Sequence, residues 1–529
     1  MARFQSSVST AALTTVLPTS DSIQKGDLVT QASDGNAYWS ADPSVAGVSA
    51  ASRPPYLAAT TSISPIAPAA TIATGVVNNN GGIQQGVASA VLTSGNAVVV
   101  WQLSASPYNI QFAVYNALGV LQGSVTTVAA GSSSPQGVAV AALSGGGFAV
   151  AYTTSAGAKG MAIYSNAGAV VAAPSSFDLN TAADNFGTSV LALTSGGFAI
   201  VYNLASGNSY FAVFTATGSY TLAPTLLASS ATTYSAVALT GGGFVATYGG
   251  YAKIFSNSGV LQGSAIAVAS SATAGFVCAL SGGGFAVAAM GIITGAGLAV
   301  SVYNASGGLQ GAQVTLDATT TFTGGGAAFN VALAGLSGGG AQITWASYTS
   351  SASTAIIYAA QLSAAGALVG AKTTLWAAAT ANCEVAISAT TDGGSLVHYS
   401  SGTTSYEQKL TSSGAASGAA LASASAVVGA GKDLAVFVPY GTNVVGRLID
   451  NGSGVVTLAI YYTLQVLARV PLGVALSAPN GGNVAVQIGG SIATRINFAQ
   501  PWSGNYQSNS PPGQKMAIVG NTAIMQGVI

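Results

Sequence analysis

The chain has 529 residues, of which 50% are hydrophobic and 5% charged, and its 12 basic and 12 acidic residues leave no formal net charge. The hydrophobic content excludes an intrinsically disordered chain, and 69 Gly residues without a Gly-X-Y period exclude collagen. Basic residues stand singly, so we expect neither nucleic-acid binding nor a polybasic membrane patch. Gly, Ser or Asn interrupts every apolar run before it reaches the roughly 18 residues of a membrane-spanning helix, so no membrane insertion is expected.

Residues 1–60 are predicted to be an N-terminal arm followed by the first half of a small β-domain. The opening segment, Met1-Ala2-Arg3-Phe4, does not continue into a signal peptide, because Ser and Thr dilute the apolar stretch that follows. We therefore expect synthesis in a cytoplasm without a signal peptide. Two short motifs follow, Lys-Gly-Asp-Leu-Val at 25–29 and Asp-Gly-Asn-Ala-Tyr at 34–38.

One motif recurs through residues 61–459. It consists of Leu, polar and Gly residues, then Phe and an alternating apolar run that ends in Tyr or Trp. The copies begin at Leu92, Leu143, Leu193, Leu239, Leu280 and Leu336, with degenerate copies at Thr391 and Ala430. The residues that follow the Gly turns are at positions 97, 148, 198, 244, 285, 341, 395 and 434. Repeats of about 40–50 residues that contain strands are typical of β-propeller blades.

Each repeat is predicted to form four strands. In the second repeat we predict strands at 137–143, 148–152 and 159–164 and a fourth from 170, with Gly supplying positive φ in the first turn. Strand alternation places Phe148, Val150 and Tyr152 on one face, and Ala149 and Ala151 on the other. Helix periodicity with caps is missing, so the sequence predicts an all-β fold.

Eight repeats can be counted, and residues 63–73 resemble the fourth strand of a blade, which would complete the last blade and close the ring. We therefore predict an all-β fold with a β-propeller of eight four-stranded blades, seven being the alternative. The N- and C-terminal segments would add a small β-domain. A parallel β-solenoid is the other architecture, but its coils are usually shorter.

Residues 460–529 carry the second half of this small domain, with Pro-Leu-Gly-Val-Ala-Leu at 471–476 and Gly-Gly-Asn-Val-Ala-Val at 481–486. Together with the motifs at 25–29 and 34–38, they resemble a small β-domain of bacteriophage fibre and virion-decoration proteins. Here the propeller would separate the two halves, which is feasible because a closed propeller has adjacent ends. The blade repeats resemble Gly-Gly-Phe-x-Val-x-Tyr repeats of large bacterial surface and secreted proteins, which indicates fold and not function.

The resemblance to phage proteins implies a virion structural protein, a tail fibre or surface appendage located on the particle surface. Its partners would be other virion proteins, further copies of itself in a homotrimer or other homo-oligomer, and host-surface polysaccharide bound by the propeller. A purely structural capsid or tail decoration protein is one alternative, and a bacterial surface adhesin is another.

Residues that could carry catalysis are scarce. The one histidine, His398, is predicted to be a partly buried strand residue, because no motif implies a partner carboxylate and the nearest acid, Asp392, lies in a turn. The acidic residues are too dispersed for a metal site or for the facing carboxylates of a glycosidase. We therefore predict no catalytic, cofactor-binding or metal-binding residue, and no enzyme activity. Cys278 and Cys383 are predicted to be buried free thiols.

The best candidate ligand contacts are aromatic residues at equivalent positions in their blades. They are Trp101, Tyr152, Tyr202, Tyr248, Trp345 and Tyr399. One interpretation is a ring of platforms on which sugars stack. The other is packing between blades, which we favour because a residue type that recurs in blade after blade is what a folding requirement produces.

Overall fold

The computed structural model contains strands and no helix among the residues it describes, and therefore no described helix that could span a membrane. Side chains are described between residues 87 and 420, except at 104–108, 117–119, 130–137, 155–156, 180–187, 205, 231–234, 270–274, 291–296, 319–330, 348–354, 378–384, 391–392, 400–405 and 419. Elsewhere only the strand backbones given below are described. The chain divides into two units, residues 62–463 and residues 1–61 with 464–529.

Seven antiparallel blades are each formed by four consecutive strands, counted from the first, innermost strand to the fourth. Blades 1 to 4 are Val87–Val91, Ala97–Gln102, Ile110–Tyr115, Leu121–Ala129; Val138–Ala142, Phe148–Thr153, Lys159–Tyr164, Val170–Asp178; Ser189–Ala192, Phe198–Asn203, Ser209–Phe214, Tyr220–Ala228; and Thr233–Ala238, Phe244–Tyr248, Tyr251–Phe255, Ile266–Ala267. Blades 5 to 7 are Ala274–Ala279, Phe285–Ile293, Ala296–Tyr303, Leu309–Thr321; Val331–Gly335, Ala341–Tyr348, Thr354–Leu362, Leu368–Thr380; and Val385–Ala389, Ser395–Ser401, Thr404–Leu410, Ala416–Ser423.

Blade 8 combines both ends of the repeat region. Its first three strands are Val436–Pro439, Val444–Asp450 and Val456–Tyr462. The third pairs with Ser64–Pro65 and Ala70–Ala73, so residues that precede blade 1 supply the outer strand. First strands lie side by side from blade to blade, and that of blade 8 lies beside that of blade 1. The described residues thus form a closed ring of eight blades, and the predicted completion of the last blade by residues 63–73 is confirmed.

The other unit contains a five-stranded sheet built from both ends of the chain. Its strands, in spatial order, are Leu13–Pro18, Asn483–Ile488, Pro471–Ala475, Leu28–Gln31 and Ala37–Trp39. A separate two-stranded sheet pairs Val519–Gly520 with Ala523–Ile524. The prediction of an all-β propeller with a small β-domain formed by the terminal segments is therefore confirmed. Antiparallel pairing within every blade excludes the parallel solenoid.

One predicted repeat copy is out of phase. The sequence places the eighth turn at 430–433 and a second strand from Leu434, but residues 430–435 lie outside the described residues. In the described sheet Val436–Pro439 is the first strand, and the second begins at Val444. The prediction was wrong because Gly431 with two polar residues imitates the turn motif. With a second strand that begins at Val444, the number of residues between the second strands of blades 7 and 8 is also closer to that between the second strands of the other blades.

The turn between the first two strands explains the repeated glycines. In blade 3, Gly196 donates its N–H to the carbonyl of Leu193 and has a φ of 92°. At the following Gly197, a Cβ would lie 2.1 Å from the carbonyl oxygen of Phe214. Both positions therefore need Gly, the first for its conformation and the second for the close approach of the third strand. Ser195, before them, has no such restriction, and other copies have Gly there.

The fourth strand of each blade is an outer edge, which proteins commonly protect from pairing with other chains by charged residues. Here charges are scarce, and a bulge interrupts the pairing of the fourth strand with the third in blades 1, 2, 3, 5, 6 and 7. The bulge contains either a glycine of positive φ or a proline, namely Gly123, Pro174, Pro224, Gly311, Gly370 or Gly418. Both residue types make the edge a poor template for a further strand.

The core lies between successive blades. Phe148, Val150 and Tyr152 of blade 2 pack against blade 1, whereas Ala149 and Ala151 pack against blade 3. The predicted alternation of faces is therefore confirmed. Aromatic rings of adjacent blades also meet at these interfaces, as Phe112 of blade 1 meets Phe148 of blade 2 at a centroid distance of 5.1 Å.

Replacing Gly196 by Ala should lower the free energy of unfolding by about 1–2 kcal/mol, because a left-handed conformation is unfavourable for a residue with a Cβ. No clash contributes, since a Cβ at Gly196 would meet nothing within 4 Å. Gly282→Ala in the blade 5 turn is the control, because that site has equal space and no positive φ. Urea denaturation measures both, and equal losses would contradict the assignment to backbone conformation.

Candidate functional site

The six candidate aromatic residues lie on the second strands of their blades, and most are covered. Trp101, Tyr152, Tyr202, Trp345 and Tyr399 are at most 3% exposed. Their rings pack between blades, as in the contact of Tyr399 with Trp376 of blade 6, where the ring centroids are 6.2 Å apart. Rings buried in this way present no platform to a sugar, so the structure favours packing for these five residues.

Several of these residues also tie their blade to the outer strand of the preceding one. The Tyr202 hydroxyl donates to Asp178 Oδ2 at 2.6 Å. In blade 6, Trp345 Nε1 and the Ser347 hydroxyl both donate to Asp317 Oδ2, at 3.4 and 2.5 Å. Burial, followed by the hydrogen bond to Asp178, raises the pKa of Tyr202, so its hydroxyl remains a donor across the accessible pH range. These contacts are structural links between blades.

Tyr248 is the one candidate among the six that remains partly exposed. Its ring stacks on Tyr251, with centroids 5.9 Å apart, and Lys253 Nζ lies 5.1 Å from the ring centroid. Lys253 also donates to the carbonyl of Leu227 in blade 3, at 2.6 Å. Tyr248 therefore belongs to an aromatic and cationic cluster beside the hairpin between the second and third strands of blade 4. None of the other five candidates belongs to this cluster.

His398 differs from its sequence prediction in two ways. It is completely buried, and a carboxylate does face it, because Glu407 lies directly opposite on the third strand of blade 7. The distance from His398 Nδ1 to Glu407 Oε1 is 3.4 Å, and neither side chain is exposed. No sequence motif implies this carboxylate, because the pairing of His398 with Glu407 depends on hairpin register. A substrate has no access to this pair in the described structure.

Cys278 is a buried free thiol, as predicted, and burial raises its pKa to about 12. The thiol is therefore protonated and unreactive at neutral pH. Cys383 lies outside the described residues. Among the side chains that the structure describes, no three His, Cys, Asp or Glu residues are grouped in a way that could hold a metal ion.

A groove of about 470 Å³ opens between blades 6 and 7, on the face that carries the first-to-second and third-to-fourth strand turns. Its polar lining residues are Ser337, Gln361, Ser363 and Ser412, and its apolar lining residues include Leu336, Leu362, Ala364 and Val369. Gln361 bridges the groove, because its Nε2 donates to the carbonyl of Ser412 at 3.0 Å. The described lining contains hydroxyls, amides and backbone groups but no charged side chain.

None of the six aromatic candidates lines this groove, and no sequence pattern predicted the residues that do. Ser and Gly occur in every turn, so those that line the groove look like all the others. The usable signal is a departure from the repeat in two neighbouring copies: Ala341 and Ser395 stand where four other copies have Phe, and Ala97 of blade 1 is the third departure. Both copies belong to the blades that form the groove.

The sequence matches no protein-family model and no curated protein. The solved structures similar to this chain include the Dos1 propeller, with a TM-score of 0.47 and 8% identity over 76% of this chain and 94% of that one. The BP39L lectin from Burkholderia pseudomallei has a TM-score of 0.44 and 11% identity, over 73% of this chain and 97% of that one. These likenesses concern the fold alone.

Replacing Tyr202 by Phe should lower the free energy of unfolding by about 1–3 kcal/mol, because the partly buried Asp178 carboxylate loses a hydrogen-bond donor. Tyr248→Phe is the matched control at the same position of the repeat, since that ring is partly exposed and donates no described bond to a carboxylate. Chemical denaturation of both variants measures the difference. Equal stability of Tyr202→Phe and the wild type would show that the contact with Asp178 does not link the two blades.

Proposed function

We propose that this chain is a non-enzymatic recognition protein of a bacteriophage virion, whose propeller binds a neutral glycan on the host surface. The observation that carries the proposal is the uncharged polar groove between blades 6 and 7. Hydroxyls and amides that line a groove with apolar patches suit the alternating hydroxyl and C–H faces of a sugar. The volume of about 470 Å³ falls within the usual range for small-ligand sites.

Electrostatics support a neutral ligand over a charged one. The described lining offers no cation to pair with an acidic sugar or a phosphate, and no carboxylate to pair with an ammonium group. The whole chain has no formal net charge, so long-range attraction of a charged partner is weak as well. Binding through one such groove would be weak, and several copies on one particle would raise the affinity through avidity.

The attachment part of the proposal rests on the terminal segments. The motifs that resemble the small domain of phage fibre and decoration proteins contribute strands to one sheet, in which Leu28–Gln31 pairs with Pro471–Ala475. This pairing supports an attachment domain into which the propeller is inserted. In this proposal the domain binds other virion proteins or further copies of the chain, and the propeller is displayed on the particle surface.

Fluorescently labelled full-length protein should bind saturably to intact cells of a host bacterium, and the binding should disappear when surface polysaccharide is stripped. Purified polysaccharide should compete for binding and be recovered uncleaved, because the proposal includes no hydrolysis. The test uses a panel of candidate host strains, with albumin as the control for nonspecific adsorption. Lack of binding to a strain that the phage infects would favour a purely structural decoration protein.

The full-length protein should form a homotrimer or other homo-oligomer at micromolar concentration, because the terminal sheet is proposed to be the site of self-association or attachment. Size-exclusion chromatography with light scattering measures the mass directly, relative to 51.3 kDa for one chain. A monomer at all concentrations would contradict self-association and leave attachment to other virion proteins as the role of this domain.

A further inference from the structure

The groove coincides with a break in the repeat. The second residue of each second strand faces a third-strand residue, and in blades 1 to 5 this cross-strand pair is apolar and buried against the next blade. The pairs are Val98–Val114, Ala149–Ile163, Ala199–Val213, Val245–Ile254 and Ala286–Val302. In blade 6 the same pair is Gln342–Gln361. Two amides therefore occupy a position that is otherwise apolar, in the blade that forms one wall of the groove.

The facing residue in the next blade changes too. Blades 2 to 5 begin their second strand with Phe, which stacks on an aromatic residue of the third strand, as Phe198 does on Phe214 at a centroid distance of 5.1 Å. Blade 7 has Ser395 there, opposite Leu410. Ser395 is fully buried. The interface between blades 6 and 7 thus replaces aromatic packing with polar groups and smaller side chains.

Hydrogen bonds fix the orientation of both amides. Gln342 Nε2 donates to the carbonyl of Ala360 at 2.8 Å, and Gln361 Nε2 donates to that of Ser412 at 3.0 Å. The Oε1 atoms of both glutamines are buried and accept no hydrogen bond from a described residue. They face one point, because a Cβ on Gly414 would lie 3.1 Å from Gln361 Oε1 and 3.5 Å from Gln342 Oε1.

Buried acceptors without donors are unfavourable, so a donor supplied by a bound molecule would stabilise these oxygens. Gln361 lines the groove and is partly exposed, whereas Gln342 is fully buried behind it. A cationic donor is disfavoured, because the described lining of the groove holds no carboxylate to pair with it. A neutral hydroxyl group satisfies the acceptors and brings no charge into the groove.

We propose that Gln361 is the residue that recognises the ligand: its terminal amide turns toward the groove and accepts a hydrogen bond at Oε1 from a hydroxyl of a neutral saccharide, and Gln342 positions that amide. This inference rests on the proposed function and names the side chain in the groove that recognises the bound sugar. It explains why the repeat keeps a polar pair where five other blades use an apolar one: the pair serves binding at the expense of stability.

The double variant Gln342→Ala/Gln361→Val tests the inference, because it installs the pair that blade 3 has at Ala199 and Val213. Binding of the full-length protein to a panel of neutral monosaccharides and to neutral polysaccharide is measured by calorimetry, and Tm by thermal denaturation. We expect the affinity to fall at least about tenfold, the loss of roughly one strong hydrogen bond, and any fall in Tm to reflect the space that Gln342 leaves beside the small Ser395. Gln122→Ala, an exposed change on the outer strand of blade 1, should alter neither quantity.

The outcomes separate this inference from the function it rests on. Wild-type binding that the double variant retains overturns the role of the glutamines and leaves glycan recognition intact. A wild-type protein that binds none of the sugars overturns both. If the double variant has a lowered Tm, Gln361→Met provides the second test, because it removes the acceptor and keeps the side-chain volume. Unchanged affinity in Gln361→Met overturns the inference, and lost affinity at wild-type Tm supports it.

Discussion

Each blade must bury both of its faces against its neighbours, and the rest of the structure depends on this constraint. Because side chains alternate along a strand, one face of the second strand can carry large residues and the other small ones. Phe198 of blade 3 therefore meets Ala149 and Ile163 of blade 2. An open row of such blades would leave an apolar face in water at each end. Pairing of Ala70–Ala73 with Val456–Tyr462 completes the last blade with a strand that precedes blade 1. The ring is thereby closed, and neither end of the row exposes an apolar face.

Because charged side chains are scarce, the backbone of the outer strands must itself discourage pairing with other molecules. In a more charged protein, Lys or Glu on the outer strands would discourage pairing between molecules. Here the outer strands expose apolar side chains such as Val125 and Val170, which are 43% and 59% exposed. Bulges at Gly123 or Pro174 interrupt the same strands, so the row of backbone donors and acceptors is irregular. The outer strands thus carry few charges and still do not present a regular edge to another chain.

Local patterns in the sequence predicted those parts of the fold that local chemistry controls. The turn glycines mark the second strands of blades 1 to 7 because the first of them has a positive φ in every blade, and the second, in blades 2 to 7, has no room for a Cβ. Blade 8 was predicted out of phase because Gly431 imitates this signal. The His398–Glu407 pair was missed because hairpin register brings the two residues together, and no short motif encodes register. The groove was missed because Gln342 and Ser395 are informative only when their blades are compared position by position.

A polar residue at an apolar position of the repeat does not by itself indicate a binding site. Lys409 occupies in blade 7 the position that Gln361 has in blade 6, and it too is buried, but its ammonium donates to Thr390 within the same blade. The glutamines differ because their donors are bonded while their acceptors are not, and because one of them lines an opening to solvent. A buried group that is satisfied internally maintains the fold. A pair that leaves its acceptors unbonded beside a groove can instead accept hydrogen bonds from a molecule that enters the groove, and this difference connects the break in the repeat with recognition.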